Sequence, residues 1–467
     1  MPSSPSPSES PVEQFIAAKA LLDEILRVPE LQSVFDLDDR PDTRMVYTQA
    51  ATIWLLILQR LRGGASLSKV ISEAVNYQSD LFPDNKRVRE GTLGENTSSF
   101  SQARKRLPLE AIEKFSRCVC DYLGRTAERV FDDRRVFIID GTTITLPPTP
   151  CLKKAFPPAT NQHGESVWPV AMLMVAAELQ SGCILVPKID PMYGIHNSHE
   201  SKQAREIVGE LPPESIVLAD SGFGIFSVAY HTHQAGHDFL FRLSMSRFKS
   251  HRRKAELIDQ GEGYKSYRLQ WMPSSKERTT TPDLPADAAL GVFIHEVELE
   301  SGKTLAMVSS MEFDATCLAE LYRRRYDVEF DIRDVKVTMD TENIRAKSVE
   351  MVMKELMGSI IAYNLVVQFR RDAAQLAKVP PRRLSFSGVW LSFQDHLLRR
   401  SCETFQQWQA AYKKALASAA KRKHPVRKKP RDYPRIAHTR RQKSTKFQKS
   451  LRKKKPAAEI LGTTQPP

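Results

Sequence analysis

The pattern of apolar and polar positions changes period near residue 135 and again near residue 313. Before residue 130, apolar residues recur at three- and four-residue spacing. That spacing predicts helices over Val12–Val28, Thr43–Leu61, Ser66–Val75, Ser99–Leu107 and Leu109–Val130, with Gly63, Gly64 and Pro108 as breakers. From Arg135 the runs shorten and become β-branched. VFIIDG (Val136–Gly141), VAMLMVAAEL (Val170–Leu179) and GCILVPKI (Gly182–Ile189) read as successive strands, with Ser181-Gly182 marking a hairpin. A helix over Ser201–Leu211 leads to the buried strand SIVLAD (Ser215–Asp220). A second helix, Ile225–Ala235, leads to the strand DFLFRLS (Asp238–Ser244).

Residues 246–312 are polar, with strand-like runs at Tyr264–Trp271, Val292–Leu299 and Thr304–Ser309, so a β-rich insertion is expected there. A helical stretch from Asp314 to Lys336 follows, then a long apolar helix over Asn343–Arg371 and a helical patch over Asp395–Ala420. The order of three strands, helix, strand, helix and strand is that of the ribonuclease-H-like fold. The expected class is α/β, a mixed sheet flanked by helices. The organisation read from these shifts is a disordered Ser/Pro-rich opening (1–11), a helical N-terminal domain (12–130) and an α/β domain in two parts (131–245 and 313–375). The β-rich insertion (246–312) separates those parts, and a helical region (376–420) and a basic tail (421–467) follow.

At 467 residues with 41% hydrophobic and 27% charged positions, the chain has the balance of a globular protein of about three domains. Its net charge of +14 is unevenly placed: residues 421–455 hold 17 Lys and Arg against one acid, so the rest sums to −2. That tail is expected to be disordered and to neutralise DNA phosphates without reading bases. The six cysteines form no C-x-x-C, so neither a zinc finger nor a disulfide framework is indicated. His231, His233 and His237 fall on a predicted surface helix and do not read as a metal cluster. The opening has no basic segment followed by an apolar one, and the longest apolar run, Val167–Ala177, is too short to span a bilayer. A cytoplasmic, nucleoid-associated protein with no membrane partner is the expectation.

The stretch ELYRRRYDVEFDIRDVK (Glu320–Lys336) carries the chemistry. On a continuous helix, Arg325, Glu329 and Lys336 fall within about 60° of Tyr322, in one stripe about 21 Å long. Leu318, Leu321, Val328, Ile332, Val335 and Met339 form an apolar seam beside it. A solvated helix with i,i+4 ion pairs would explain the charges equally well. Asp140 ends the first strand and Asp220 the fourth, where either could simply cap the following turn. With Glu329 they make a possible set of three carboxylates, which repel one another unless divalent cations lie between them.

The spacing Tyr-x2-Arg-x3-Glu-x6-Lys resembles the signature of DDE transposases of the insertion-sequence-four family, and Tyr326 supplies that family's aromatic after the Arg. Thr142 matches its Asp-x-Thr pattern, and Gly222 and Phe223 match its Asp-x-Gly-Phe pattern. The resemblance implies that Asp140, Asp220 and Glu329 hold two Mg²⁺ or Mn²⁺ ions, and that Tyr322, Arg325 and Lys336 touch phosphates. It also implies double-stranded DNA, both element ends and target, as the substrate and a homodimer as the working assembly. Arg104 and Arg106, on the short helix Ser99–Leu107, are candidates for DNA contacts. Trp271, the only Trp in residues 246–312, is a candidate stacking platform for a flipped base. Two other readings stay open: a ribonuclease-H-like nuclease without strand transfer, and a catalytically inactive DNA-binding derivative of a transposase.

Overall fold

The computed structural model describes residues 45–77, 82, 86–162, 164–398 and 405–425. The opening segment, the helix expected at Val12–Val28 and the basic stretch beyond Pro425 lie outside the described residues. The first described helix, α1 (Gln49–Leu61), starts where Thr48 Oγ1 accepts the Ala51 N–H at 3.2 Å. It is followed by α2 (Leu67–Tyr77), α3 (Thr97–Arg106, capped by Asn96) and α4 (Leu109–Arg125). One side of α1 closes a small core with Tyr47, Ile71 and Phe100, while its Ile53, Ile57 and Leu61 join the main core.

The strands are β1 (Val136–Thr145), β2 (Pro158–Asn161), β3 (Gly164–Glu178), β4 (Lys188–Pro191), β5 (Ile216–Ala219) and β6 (Asp238–Arg242). Helix α5 (Glu200–Val208) precedes β5, and α6 (Phe226–Gln234) precedes β6. Three strands, helix, strand, helix and strand are therefore present, with the short β2 added. β1, β5 and β6 run parallel, and β3 pairs antiparallel with β1 in a register that sets Asp140 opposite Val175. After α7 (Met245–Arg252) come β7 (Glu256–Gly261), β8 (Tyr264–Trp271), β9 (Leu290–Glu298) and β10 (Thr304–Ser309). These strands extend the same sheet, because β10 pairs antiparallel with β6, giving the order β2-β3-β1-β5-β6-β10-β9-β8-β7 with β4 beside β3.

Alternation along the strands divides the core. Ile138, Leu218, Leu240 and Met307 face one layer of helices, and Phe137, Ile139, Val217 and Phe239 face α5 and α6 on the other side. After β10 come α8 (Ala315–Arg323), a 3₁₀ turn (Arg324–Tyr326), α9 (Asp327–Arg333) and a π-helical turn (Asp334–Thr338). The long α10 (Val349–Leu376) is buried almost all round and is the central helix of its layer. The helices α11 (Phe386–Leu398) and α12 (Phe405–Ala420) pack beside it.

Some elements differ from expectation. The strand read at Gly182–Ile189 shrinks to an isolated bridge at Ile184 and the displaced β4. Pro187 offers no N–H to a ladder, and the Asn364 side chain takes both the Ile184 N–H (2.8 Å) and its carbonyl (2.9 Å). The helical patch read over Asp395–Ala420 belongs to two helices, the end of α11 and all of α12. His237 is buried rather than on a surface helix, with Nδ1 accepting the Ser215 N–H at 3.2 Å. Cys118, Cys120, Cys151, Cys183 and Cys317 are free thiols. Among the described residues no helix is long and apolar enough to cross a membrane.

Candidate active site

Asp140 lies midway along β1, beyond its four buried residues, and its side chain is 24% exposed. Burial and the neighbouring Asp220 and Glu329 push its carboxyl up to about 6, against the pull of Arg325 and the Gly141 N–H. Asp220 is the first residue after β5, where its Oδ1 accepts the Gly222 N–H at 2.8 Å. A Cβ at position 222 would lie 3.0 Å from Asp220 Oδ1, so a larger residue there would press on the carboxylate. A Cβ at Gly141 would meet Glu200 Oε1 at 2.6 Å, which the exposed Glu200 side chain can relieve by moving aside.

The helical stretch over the edge of the sheet is not one uniform α-helix, as the constant angular step assumed. A 3₁₀ turn precedes α9 and a π turn follows it, so the phase between Tyr322 and Lys336 departs from that step. The stripe still reaches β1 through its side chains. Arg325 Nη2 donates to Glu329 Oε1 at 2.6 Å, Arg325 Nη1 lies 4.0 Å from Asp140 Oδ2, and the guanidinium stacks 4.6 Å from the Tyr326 ring. Lys336 Nζ donates to Thr142 Oγ1 at 3.0 Å and to the Thr143 carbonyl at 2.7 Å. Tyr322 is buried, and burial raises its phenol pKa well above the ordinary value.

Among the described residues no group of three or more His, Cys, Asp or Glu side chains stands ready to hold a metal ion. Glu329 is turned onto Arg325, Asp140 accepts the Gly141 N–H and Asp220 accepts the Gly222 N–H. The donor set nonetheless suits a hard divalent cation: three carboxylates, one of them raised by burial and by the other two, which is the repulsion a cation relieves. The Glu329 side chain is half exposed and has room to leave Arg325.

Two other candidates sit on the expected elements but are buried, where their expected roles need exposure. Arg104 is 7% exposed and buries its guanidinium against Glu355 of α10 at 2.6 Å, so it ties the front helices to the core and offers nothing to DNA. Arg60 grips the other oxygen of Glu355 at 2.5 Å. Arg106 stays exposed. Trp271 is 3% exposed, edge-on to Phe226 at 5.7 Å and to His251 at 5.4 Å, and is a core residue with no free face for a base. The period-2 pattern Tyr267, Leu269, Trp271 already points all three rings and chains to one buried face.

Sequence reasoning missed Arg382. It donates to both oxygens of Asp331 at 2.9 and 2.7 Å and lies 3.1 Å from Asp327, clamping α9 from behind. No local pattern marks it, since its partners lie about 50 residues upstream.

The chain belongs to the transposase DDE domain family, whose model matches residues 132–365, half of its length. Within that family it is of the insertion-sequence-four type. It is 25% identical over 294 residues to the transposase InsG for insertion sequence element IS4 of Escherichia coli (strain K12), which covers 62% of this chain. The chain spans 65% of that curated relative's length. A solved piggyBac transposase synaptic complex with hairpin DNA aligns at 10% identity and a TM-score of 0.36, over 85% of this chain and 82% of that one, a likeness too weak to carry an argument.

Proposed function

We propose that this chain is a DDE transposase that cuts DNA strands at the ends of its own element and joins them to target DNA. Its catalytic core is of the ribonuclease-H-like fold, a reading supported by the order of strands and helices and by the parallel run of β1, β5 and β6. The observation that supports the proposal is that Asp220 and Glu329 both act on the Asp140 carboxyl, which burial first and then those two push up to about 6, with Arg325 reaching both Glu329 and Asp140. These three residues would hold two Mg²⁺ or Mn²⁺ ions. When bound, such a pair activates an attacking hydroxyl and stabilises the leaving oxygen of a phosphodiester.

The rest of the work falls to the chain. Arg325, which spans Glu329 and Asp140, has the planar fork that suits a phosphate once Glu329 leaves it. Lys336 is held at the Thr142–Thr143 edge as a point charge one strand-step from Asp140, and Tyr322 offers a phenol that burial keeps protonated. Arg106 adds a sequence-independent phosphate contact from the front helices. Two ends must be held together, so the working form is a homodimer on DNA, within the nucleoid.

The test is a nicking and strand-transfer assay on a duplex carrying the element end, with Mg²⁺ or Mn²⁺. Asp140→Ala, Asp220→Ala and Glu329→Ala should each abolish both products while gel-shift binding stays nearly intact. Substantial cleavage by Glu329→Ala sinks the assignment.

A further inference from the structure

Outside residues 421–455 the chain is almost neutral, yet its surface is not uniform. Between Arg242 and Ala255 stand six Lys and Arg and no acid: Arg242, Arg247, Lys249, Arg252, Arg253 and Lys254. This segment is the end of β6 and the helix α7, and it is built against the candidate active site. Arg247 Nη1 donates to the Ser221 carbonyl at 2.7 Å, one residue past Asp220. The loop after Asp220 also packs on the Arg242 backbone so closely that a Cβ on Gly224 would lie 2.2 Å from the Arg242 carbonyl oxygen. Arg242 is within electrostatic range of Tyr322.

The helix is held from below by apolar groups. Ser244 caps it, Phe248 is buried in the core, and His251 meets the buried Trp271 ring. Arg252 is committed to the fold, 3.5 Å from Glu296 and stacked on Phe248. Lys249, Arg253 and Lys254 are exposed and have no ion-pair partner among the described residues. Three unneutralised cations, Lys249 on the helix and Arg253 and Lys254 in the turn that ends it, on a segment tied by Arg247 to the Asp220 loop, are complementary to one thing the proposed reaction must bring there: a row of phosphates.

We propose that Arg242–Lys254 is a DNA-backbone track continuing the cleavage site, in which Lys249, Arg253 and Lys254 neutralise phosphates of the end duplex flanking the scissile bond. Arg247 fixes the track to the Asp220 loop, and Trp271 is its floor. The inference rests on the transposase reading and adds to it a path for the duplex on the Asp220 side of the site.

The experiment measures binding of the full chain to an element-end duplex across a salt series. The triple variant Lys249→Ala, Arg253→Ala, Lys254→Ala should flatten log K against log[salt] by about 2 to 3 units, from about 0.9 per lost phosphate contact. Its melting temperature should match the parent, because the three side chains support nothing. The charge-conserving variant Lys249→Arg, Arg253→Lys, Lys254→Arg should keep the parent slope. A control of equal charge change, Lys378→Asn, Lys413→Ala, Lys414→Ala, at exposed positions outside the basic tail, should leave the slope nearly unchanged. An unchanged slope in the first variant, or equal flattening by the control, overturns the track. So does an effect confined to capture of a target duplex by a preformed protein–end complex. Failure of the transposase reading looks different: the parent chain would bind with a steep salt slope yet yield no nicked product with Mg²⁺ or Mn²⁺.

Discussion

The helical stretch from Asp327 to Thr338 has two acidic sides, and they are held in opposite ways. On the inner side Asp331 is 1% exposed and saturated, taking two N–H donors from Arg382 and the Tyr363 hydroxyl at 2.9 Å. On the outer side, two residues earlier, Glu329 is half exposed and has one partner, Arg325. Both are carboxylates paired with arginine. A buried carboxylate must have its lone pairs filled by fixed donors, whereas one at the surface can exchange partners at little cost. The inner side is therefore anchorage, and the outer side is where chemistry can occur.

The sharpest way to break that contrast is to neutralise each side in turn. Glu329→Gln should lower cleavage on the order of 10³-fold, as for loss of a group acting only on developing charge, with an unchanged melting temperature. Arg382→Ala should instead destabilise the fold by about 3–5 kcal/mol, because Asp331 is left charged and buried without its main partner. Arg382→Lys should not restore it, since an ammonium cannot bind both oxygens as the guanidinium does. Denaturant unfolding and the nicking assay, run on all three, decide the matter. If Glu329→Gln unfolds easily and Arg382→Ala does not, the roles of the two sides are reversed.

Smaller effects are expected from the cations beside the outer side. Arg325→Ala and Lys336→Ala should each weaken cleavage by roughly 1.5–3 kcal/mol, the range of a charge-assisted hydrogen bond to phosphate. Both should melt close to the parent, since Arg325 pairs with a half-exposed acid and Lys336 bonds to the sheet edge only at its tip. Single-turnover cleavage set beside thermal melting is the measurement, and extensive unfolding of both would make the stripe structural.

Much of this contrast was legible in the chain, and what was not has identifiable causes. The apolar runs of β1 and β5 each lead into an Asp, so both residues stood out, although β1 continues to Thr145 and Asp140 lies midway along it rather than at its end. The Tyr-x2-Arg-x3-Glu-x6-Lys spacing located the outer side although the helix is not uniform, because long side chains absorb the phase error of the 3₁₀ and π turns. Arg104 was misread on its charge, although Phe100, Ala103, Arg104 and Leu107 share the i, i+3, i+4, i+7 spacing of a buried face. Arg382, Glu355 and Arg60 were illegible because each acquires its role from a partner far away in sequence.

The last and smallest effect concerns protons, and it compares Asp140 with a carboxylate far along α10. Asp372 is also pushed up to about 6, by burial first, against the Tyr412 hydroxyl, Arg371 and Gln368. For both residues the folded pKa lies above the unfolded value of about 4, so the stability each contributes is full below pH 4 and is lost as pH rises through 6. His295 and His396 work the other way. Burial holds each down to about 4, so they contribute stability above about pH 6.5 that is lost as pH falls. The raw melting curve therefore mixes opposing terms, and the informative quantity is the difference between variants. Asp372→Asn should remove a component worth roughly 3 kcal/mol between pH 4 and 6, the size of a two-unit shift. Asp140→Asn should remove a smaller one, because its side chain is partly exposed. Divalent ions separate the two: Mg²⁺ should shift the Asp140 component to lower pH and leave that of Asp372 where it was. Cleavage, which needs ionised Asp140, should rise with pH to a plateau near or below 6. Melting series from pH 4 to 7, with and without Mg²⁺, give all these differences. A Mg²⁺ effect of equal size in Asp140→Asn and the parent would remove Asp140 from the metal site.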